Sequence, residues 1–159
     1  MAAKKHWAYE KPVRAALPLE QMRLRTERYT KETGKTPRVL LAEIGDAKMR
    51  SARSSFAADF LACAGLGTHI DRFETSQQIA AANADLIVLC SSDPEYFAIA
   101  TELLGELKAR GLKTPVLVAG NPDTAEQLRA AGVRDFVHLR SNPLELLTRV
   151  QELLGMVQS

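Results

Sequence analysis

The residues of this sequence that could do chemistry lie in short turns, each of which follows a run of apolar residues. The first turn, 45–50, contains Asp46, Lys48 and Arg50, and the N-terminus of a helix that begins there could hold an anion. In the alternative interpretation, Asp46 caps that helix and the two basic side chains are solvated. The residue types favour capping and leave anion binding open.

Two later turns allow the same two interpretations, ligand binding or a structural role. Ser91 opens the polar run SSD before Pro94, and its hydroxyl could hydrogen-bond a ligand or belong to the cap of the next helix. Gly120 follows Ala119 at the end of another apolar run, where a small residue would let a ligand approach the backbone. A plain strand-to-helix turn needs the same small residues, so capping and turn formation are the favoured interpretations.

The familiar catalytic templates are absent from the sequence. It contains no GxGxxG, no GxxxxGK[ST] phosphate loop and no GxSxG elbow. The three histidines, His6, His69 and His138, have no ligand spacing and do not indicate a metal site. His138 is the only one near a predicted strand end at the functional edge, where a hydrogen-bonded structural histidine is favoured over a catalytic one.

The composition narrows the possible classes of function further. The chain has 159 residues, of which 46% are hydrophobic and 25% charged, and a formal net charge of +2. This charge is too small to indicate a nucleic-acid partner. The sequence shows no apolar run of membrane length and no signal peptide, so we expect a cytoplasmic protein without a membrane partner. Cys63 and Cys90 are both predicted to be small buried hydrophobic residues.

The elements that must position these turns alternate strictly from Pro37 onward. Apolar runs of strand length are followed by segments with helical spacing and glycine or proline boundaries. The pattern predicts strands at 38–44, 67–73, 85–90, 115–119 and 135–138, and helices at 48–64, 75–83, 95–110, 122–131 and 142–154.

Five such units predict a flavodoxin-like α/β fold. We expect an open five-stranded parallel sheet in the order 2-1-3-4-5, with helices on both faces. The domain is predicted at 37–159, after an N-terminal extension at 1–36 with one helix at 19–33. In that extension, Trp7 and Tyr9 are expected to pack on another surface.

The first helix of the domain carries an apolar stripe. The pattern predicts that this stripe faces the sheet. It consists of residues at three- and four-residue spacing, Ala52, Phe56, Phe60 and Cys63, and is widened by Ala57, Leu61 and Ala64. Ser54 is predicted on the opposite face. Glycine at 65 supplies the stop signal for the helix.

Phosphoacceptor receiver domains share this order of elements. Their chemistry needs an aspartate at the end of strand three, a hydroxyl at the end of strand four and a lysine at the end of strand five. The corresponding residues are Cys90, Ala119 and His138. The sequence therefore argues against receiver chemistry, and receiver-like signalling remains a third alternative.

Three segments carry a resemblance to a known family. They read PRVLLAEIGDAKMRSARSSFAADFLACAGL, DLIVLCSSDPEYFAIATELLGELKARG and PVLVAGNPD. The sequence resembles the small-subunit type of adenosylcobalamin-dependent methylmalonyl-CoA mutase, in its C-terminal cobalamin-binding-type domain. The resemblance implies a flavodoxin-like fold and a mutase (isomerase) assembly.

The resemblance also implies where a cofactor site would lie. Cobalamin-binding members carry Asp-x-His-x-x-Gly after strand one, where the histidine is the lower ligand of cobalt. Matching the aspartates puts Lys48 in place of this histidine, and aligning the helix without a gap puts Arg50 there. Ser91 and Gly120 match the later serine and glycine motifs. The implied site is vestigial and consists of Asp46, Lys48, Ser91 and Gly120.

The function implied by the resemblance is structural. The chain is expected to contribute to a subunit interface, to bind no cobalamin and to have no turnover of its own. Its implied partners are the mutase large subunit, in a heterodimer that supplies adenosylcobalamin, and the barrel of its own subunit. In a second interpretation the same edge is a module that binds cobalamin or a nucleotide-like ligand without the histidine.

Overall fold

The computed structural model describes residues 10–157, with side chains from residue 18 onward. This part of the chain contains six α-helices and five strands, and the predicted alternation of strand and helix is confirmed. In chain order they are α1 (Glu10–Thr33), β1 (Val39–Glu43), α2 (Ala47–Ala62), β2 (Thr68–Arg72), α3 (Ser76–Ala80), β3 (Leu86–Cys90), α4 (Tyr96–Ala109), β4 (Val116–Ala119), α5 (Ala125–Ala131), β5 (Asp135–Val137) and α6 (Pro143–Leu153). A short 3₁₀ helix, Asp93–Glu95, precedes α4.

The strands form one parallel sheet in the order β2-β1-β3-β4-β5. The predicted flavodoxin-like fold is therefore confirmed. Every residue of β1, β3 and β4 is buried, as expected for continuous apolar strands covered on both faces. Among the described residues, no helix is both long enough and apolar enough to cross a membrane.

Two hydrophobic layers lie on the two faces of this sheet. Alternate residues of β1 point to opposite layers, so Leu41 packs with α1, α2 and α6 while Leu40 packs with α3, α4 and α5. Both layers contain fully buried leucines, and Leu61 of α2 and Leu103 of α4 are examples. This arrangement leaves the carboxyl ends of β1, β3 and β4 side by side at one edge.

Helix α1 is longer than predicted and packs on the domain. Met22 is buried in the first layer, and the buried Thr26 donates its hydroxyl hydrogen to the Ala64 carbonyl at 2.7 Å. Gln151 of α6 donates from Nε2 to the Met22 carbonyl at 2.8 Å and to Thr26 Oγ1 at 3.0 Å. The division into 1–36 and 37–159 stays a prediction, and Trp7 and Tyr9 lie outside the described residues.

The predicted apolar face of α2 is confirmed in part. Ala57 and Leu61 of the predicted stripe are buried, and Phe56 and Phe60 are half-buried against the first layer. Ser54, predicted on the opposite face, is buried as well, whereas Ala52 and Cys63 are exposed. Ser54 donates to Glu43 Oε2 at 2.5 Å, which satisfies a carboxylate that is buried at the end of β1. This hydrogen bond explains how a polar residue can lie on the buried side of α2, because a buried carboxylate needs a donor.

The two cysteines differ in exposure. Cys90 is fully buried at the end of β3, as predicted, and burial raises the pKa of its thiol above the ordinary value. Cys63 is exposed, so the prediction of a buried residue is wrong there. Cys63 lies with Ala52 at the margin of the predicted stripe, and this margin is exposed.

Candidate functional site at the carboxyl edge

The loops that follow β1, β3, β4 and β5 meet at one edge of the sheet, which we call the carboxyl edge. It comprises residues 44–46, 91–95, 120–124 and 138–142. Parallel α/β sheets bind their ligands at this edge. The usual place is the point where successive crossovers change from one face of the sheet to the other. In the observed strand order this point lies between β1 and β3.

Arg53 of α2 reaches across the carboxyl edge. Its Nη1 donates to the Ala119 carbonyl at 2.6 Å, and its Nη2 forms an ion pair with Asp93 Oδ1 at 3.0 Å. The side chain is only 20% exposed. A Cβ atom added to Gly120, whose φ is +142°, would overlap with Arg53 Nη1. The guanidinium therefore occupies the space that glycine leaves above the end of β4.

Glu95 fills the neighbouring space above Gly45 in the same way. A Cβ added to Gly45 would overlap with the Glu95 carboxylate. Glu95 Oε1 accepts hydrogen bonds from Ser92 Oγ at 2.5 Å, from the Asp46 backbone N–H at 3.0 Å and from Ser91 Oγ at 3.2 Å. These donors, Ser92 first among them, hold the pKa of Glu95 below its ordinary value. The carboxylate ties the loop after β1 to the loop after β3.

Tyr96 is buried beneath the loops of the carboxyl edge. Its hydroxyl accepts from the Ser91 backbone N–H at 2.9 Å and donates to the Ala119 carbonyl, so it joins the ends of β3 and β4. Burial raises the pKa of this phenol above its usual range. Arg53 lies over the ring, with 5.9 Å between the guanidinium carbon and the ring centroid, a cation–π geometry.

Three of the four predicted site residues meet at these contacts. Asp46 caps α2, because its Oδ2 accepts from the Met49 N–H at 2.9 Å, and this confirms the capping interpretation. Ser91 is fully buried against Glu95, and Gly120 lies beneath Arg53. Lys48 is exposed on α2. A role of these four residues in binding a cofactor stays a prediction.

The interpretation of Ser91 as part of a helix cap is wrong. The 3₁₀ helix that leads into α4 has Ser92 at its N-cap position without a side-chain cap hydrogen bond. The serine hydroxyls instead donate to Glu95. The spacing Ser-x-x-Glu from Ser92 to Glu95 is the signal that could have paired these side chains from the sequence. Nothing local marks Arg53, because its partners lie 40 and 66 residues away.

A cleft of about 370 Å³ opens beside this cluster, between α2 and the loops after β4 and β5. Its walls are mostly apolar and include Phe56 and Leu139, whose side chain is 88% exposed. His138 also lines the cleft, and its Nδ1 accepts from the Arg140 N–H at 3.1 Å. Burial, together with the nearby Arg140 charge, lowers the pKa of His138. This hydrogen-bonded histidine fits the structural role that the sequence favoured.

The described residues contain no group of three or more histidine, cysteine, aspartate or glutamate side chains that could hold a metal ion. The polar groups of the carboxyl edge bond chiefly to one another: Arg53 with Asp93, Glu95 with the serines, and Tyr96 with the backbone. Chemically, the arrangement holds loops together and presents an apolar cleft next to a fixed positive charge.

No family model matches the chain. Over 149 residues, 90% of its length, the chain is 39% identical to the methylmalonyl-CoA mutase small subunit of Porphyromonas gingivalis. The chain is a homologue of methylmalonyl-CoA mutase small subunits. A small subunit from Streptomyces virginiae is 27% identical over 86% of the chain. The chain spans 23% and 22% of the lengths of these two relatives.

Among solved structures, a response regulator candidate from Chloroflexus aurantiacus is similar to the chain at a TM-score of 0.50. The two are 17% identical, and the match covers 76% of this chain and 99% of the other. At this identity the likeness concerns the fold alone. The buried Cys90 stands where receiver chemistry needs an aspartate, so the site gives no support to that chemistry.

Proposed function

We propose that the chain is the C-terminal, cobalamin-binding-type domain of a mutase small subunit, that it has lost the cofactor site, and that it serves a structural role at a subunit interface. In this proposal it has no turnover of its own and acts in the cytoplasm. The large subunit of the heterodimer carries the adenosylcobalamin. The homology to small subunits supports the assignment to that subunit.

The observation that carries the loss of the cofactor site is the position of Arg53. The resemblance implies that cobalamin-binding members use a histidine below the cobalt and open backbone at the later glycine motif. The turn 45–51 contains no histidine, and the Arg53 guanidinium covers Gly120. A guanidinium has no lone pair for a metal and does not lose its proton in proteins. The residues present do not fit the cofactor.

The interface role is supported by the apolar surface around the cleft. Leu139 is 88% exposed, and Phe56 and Phe60 are half-buried with their ring centroids 6.0 Å apart. Exposed apolar surface of this kind marks a contact with another surface. Because the chain spans about a quarter of its relatives' length, we propose that the barrel of its own small subunit covers this surface.

A titration with adenosylcobalamin tests the loss of the site. We expect neither quenching of intrinsic fluorescence nor displacement of the lower ligand in the visible spectrum, and no rise in melting temperature at millimolar ligand. A bound ligand at 100 times its dissociation constant would add about 2.7 kcal/mol to the free energy of unfolding. Saturable binding in the micromolar range would contradict the proposal and favour the ligand-binding module. A titration with an acyl-CoA under the same conditions tests whether the chain binds a nucleotide-like ligand instead.

The Leu139→Asp variant tests the interface. We expect the chain to bind the separately produced remainder of a small subunit, and the variant to weaken this binding about tenfold or more, because a charge would replace a buried anchor. Leu112→Asp is the control, since Leu112 is also exposed but lies at the opposite edge of the sheet. Binding affinity can be measured by biolayer interferometry. Equal affinities of wild type and Leu139→Asp would show that this surface is not the interface.

A further inference from the structure

Strand β2 forms a free edge of the sheet. It lies last in the strand order, and its outer side pairs with no strand among residues 10–157. His69, Ile70, Asp71 and Arg72 are all exposed, and Ile70 is exposed to 49%. The helices on the two faces therefore leave this strand open to a partner.

The hydrogen bonds to β1 decide which backbone groups of β2 point outward. The N–H of Phe73 donates to the Glu43 carbonyl at 2.8 Å, so residue 73 faces β1. In a parallel ladder, the residues that bond to the neighbouring strand alternate. Asp71 and His69 therefore also turn their backbone groups toward β1. Thr68, Ile70 and Arg72 present theirs to the free edge.

We infer that β2 pairs with β2 of a second copy of this chain, antiparallel about a two-fold axis at Ile70. In this register Ile70 lies opposite Ile70 of the second copy, and Thr68 lies opposite Arg72. All three outward-facing residues then meet outward-facing residues, which gives about six backbone hydrogen bonds. The two five-stranded sheets become one continuous sheet, and the two exposed isoleucines cover each other.

The side-chain charges of β2 match the same register. His69 of each copy lies opposite Asp71 of the other, in the non-hydrogen-bonded position where facing side chains approach most closely. An imidazole can donate to a carboxylate in either protonation state. Sliding the axis to residue 71 would instead bring two aspartates together. The charges therefore favour the register in which the two strands overlap along their whole length.

Strand β2 lacks two of the features that keep edge strands from pairing. Such strands are protected by proline, bulges, short length or charged side chains. The strand THIDR has no proline and pairs in continuous register with β1, and its charges are of both signs, so they can attract in the register given above. The other edge, β5, is only three residues long, and its Asp135 is engaged by Arg149 and Arg129. Because five residues bury little area, the pairing is weak and reversible.

Sedimentation equilibrium of the 159-residue chain from micromolar to millimolar protein tests this inference. We expect a reversible monomer–dimer equilibrium. Ile70→Pro is expected to weaken the dimer by at least tenfold, because proline removes an outward N–H and leaves the bonds to β1 in place. Circular dichroism melting checks that each variant remains folded.

An exchange of charge between residues 69 and 71 tests the inference even if the proline variant fails to fold. Asp71→Lys is expected to weaken the dimer about tenfold, and the double variant His69→Asp/Asp71→Lys is expected to recover most of that loss, because opposite charges face each other again. A chain that stays monomeric at millimolar concentration would overturn the inference. A dimer whose affinity these variants do not change would also overturn the inference. The same holds for a dimer that Leu139→Asp abolishes, since Leu139 lies at the carboxyl edge and not on β2.

Discussion

Replacing Gly120 by alanine is expected to lower the free energy of unfolding by about 4 kcal/mol in the wild type, and by only about 2 kcal/mol when Arg53 is already alanine. The positive φ of residue 120 costs about 1–3 kcal/mol for any residue with a Cβ. The overlap with the Arg53 guanidinium adds a further 1–3 kcal/mol in the wild type alone. The two substitutions are therefore expected to be strongly non-additive.

Urea denaturation of the wild type, both single variants and the double variant measures this coupling. Arg53→Ala alone is expected to cost about 2 kcal/mol, because it removes charge-assisted hydrogen bonds to Asp93 and to the Ala119 carbonyl. Gly105→Ala is the matched control. Gly105 lies within α4 with nothing within 4 Å of an added Cβ, so this change is expected to stabilise by about 0.5–1 kcal/mol. Additive effects of Gly120→Ala and Arg53→Ala would show that Arg53 does not occupy this space.

The Tyr96→Phe variant is expected to lose about 2 kcal/mol of unfolding free energy. The substitution keeps the ring in the core but leaves the buried Ser91 N–H without its acceptor. An unsatisfied buried donor costs about 1–3 kcal/mol. The Ala119 carbonyl is less affected, because Arg53 still donates to it.

Tyr29→Phe is the control for this prediction, since Tyr29 is only half-buried on α1 and its change is expected to stay within about 0.5 kcal/mol. Both variants can be compared with the wild type in urea. If the Tyr96 and Tyr29 variants were equally stable, the phenol would not be what joins the ends of β3 and β4. Amide hydrogen exchange at Ser91 gives a second measurement, because its N–H is expected to lose protection only in Tyr96→Phe.

The sequence allowed the fold to be predicted because the strands are short, continuous apolar runs. Each of β1, β3 and β4 is buried along its whole length, so no choice of face had to be made for them. The predicted cap at Asp46 is also confirmed, since a cap depends on residues three positions apart. Strand order then followed from the handedness of the crossovers.

The face of α2 could be predicted only in part. Periodicity placed Ala57 and Leu61 in the core, but it did not show that Ser54 would be buried beside them. The deciding contact is between Ser54 and Glu43, and it depends on tertiary structure. The cluster of Arg53, Glu95 and Tyr96 escaped prediction for the same reason. Hydrophobic spacing carries no information on which distant carbonyl an arginine will reach.

The polar contacts between α1 and α6 determine when this domain can complete its folding. Gln151 bonds to Met22 across 129 positions of the chain. During synthesis α1 is made before α6, so the carbonyl of Met22 and the hydroxyl of Thr26 lack Gln151 until α6 has emerged from the ribosome. Contacts of such long sequence separation form late, because the entropy of closing the loop opposes them. We therefore expect the layer that contains α1 and α6 to complete its packing after the other layer.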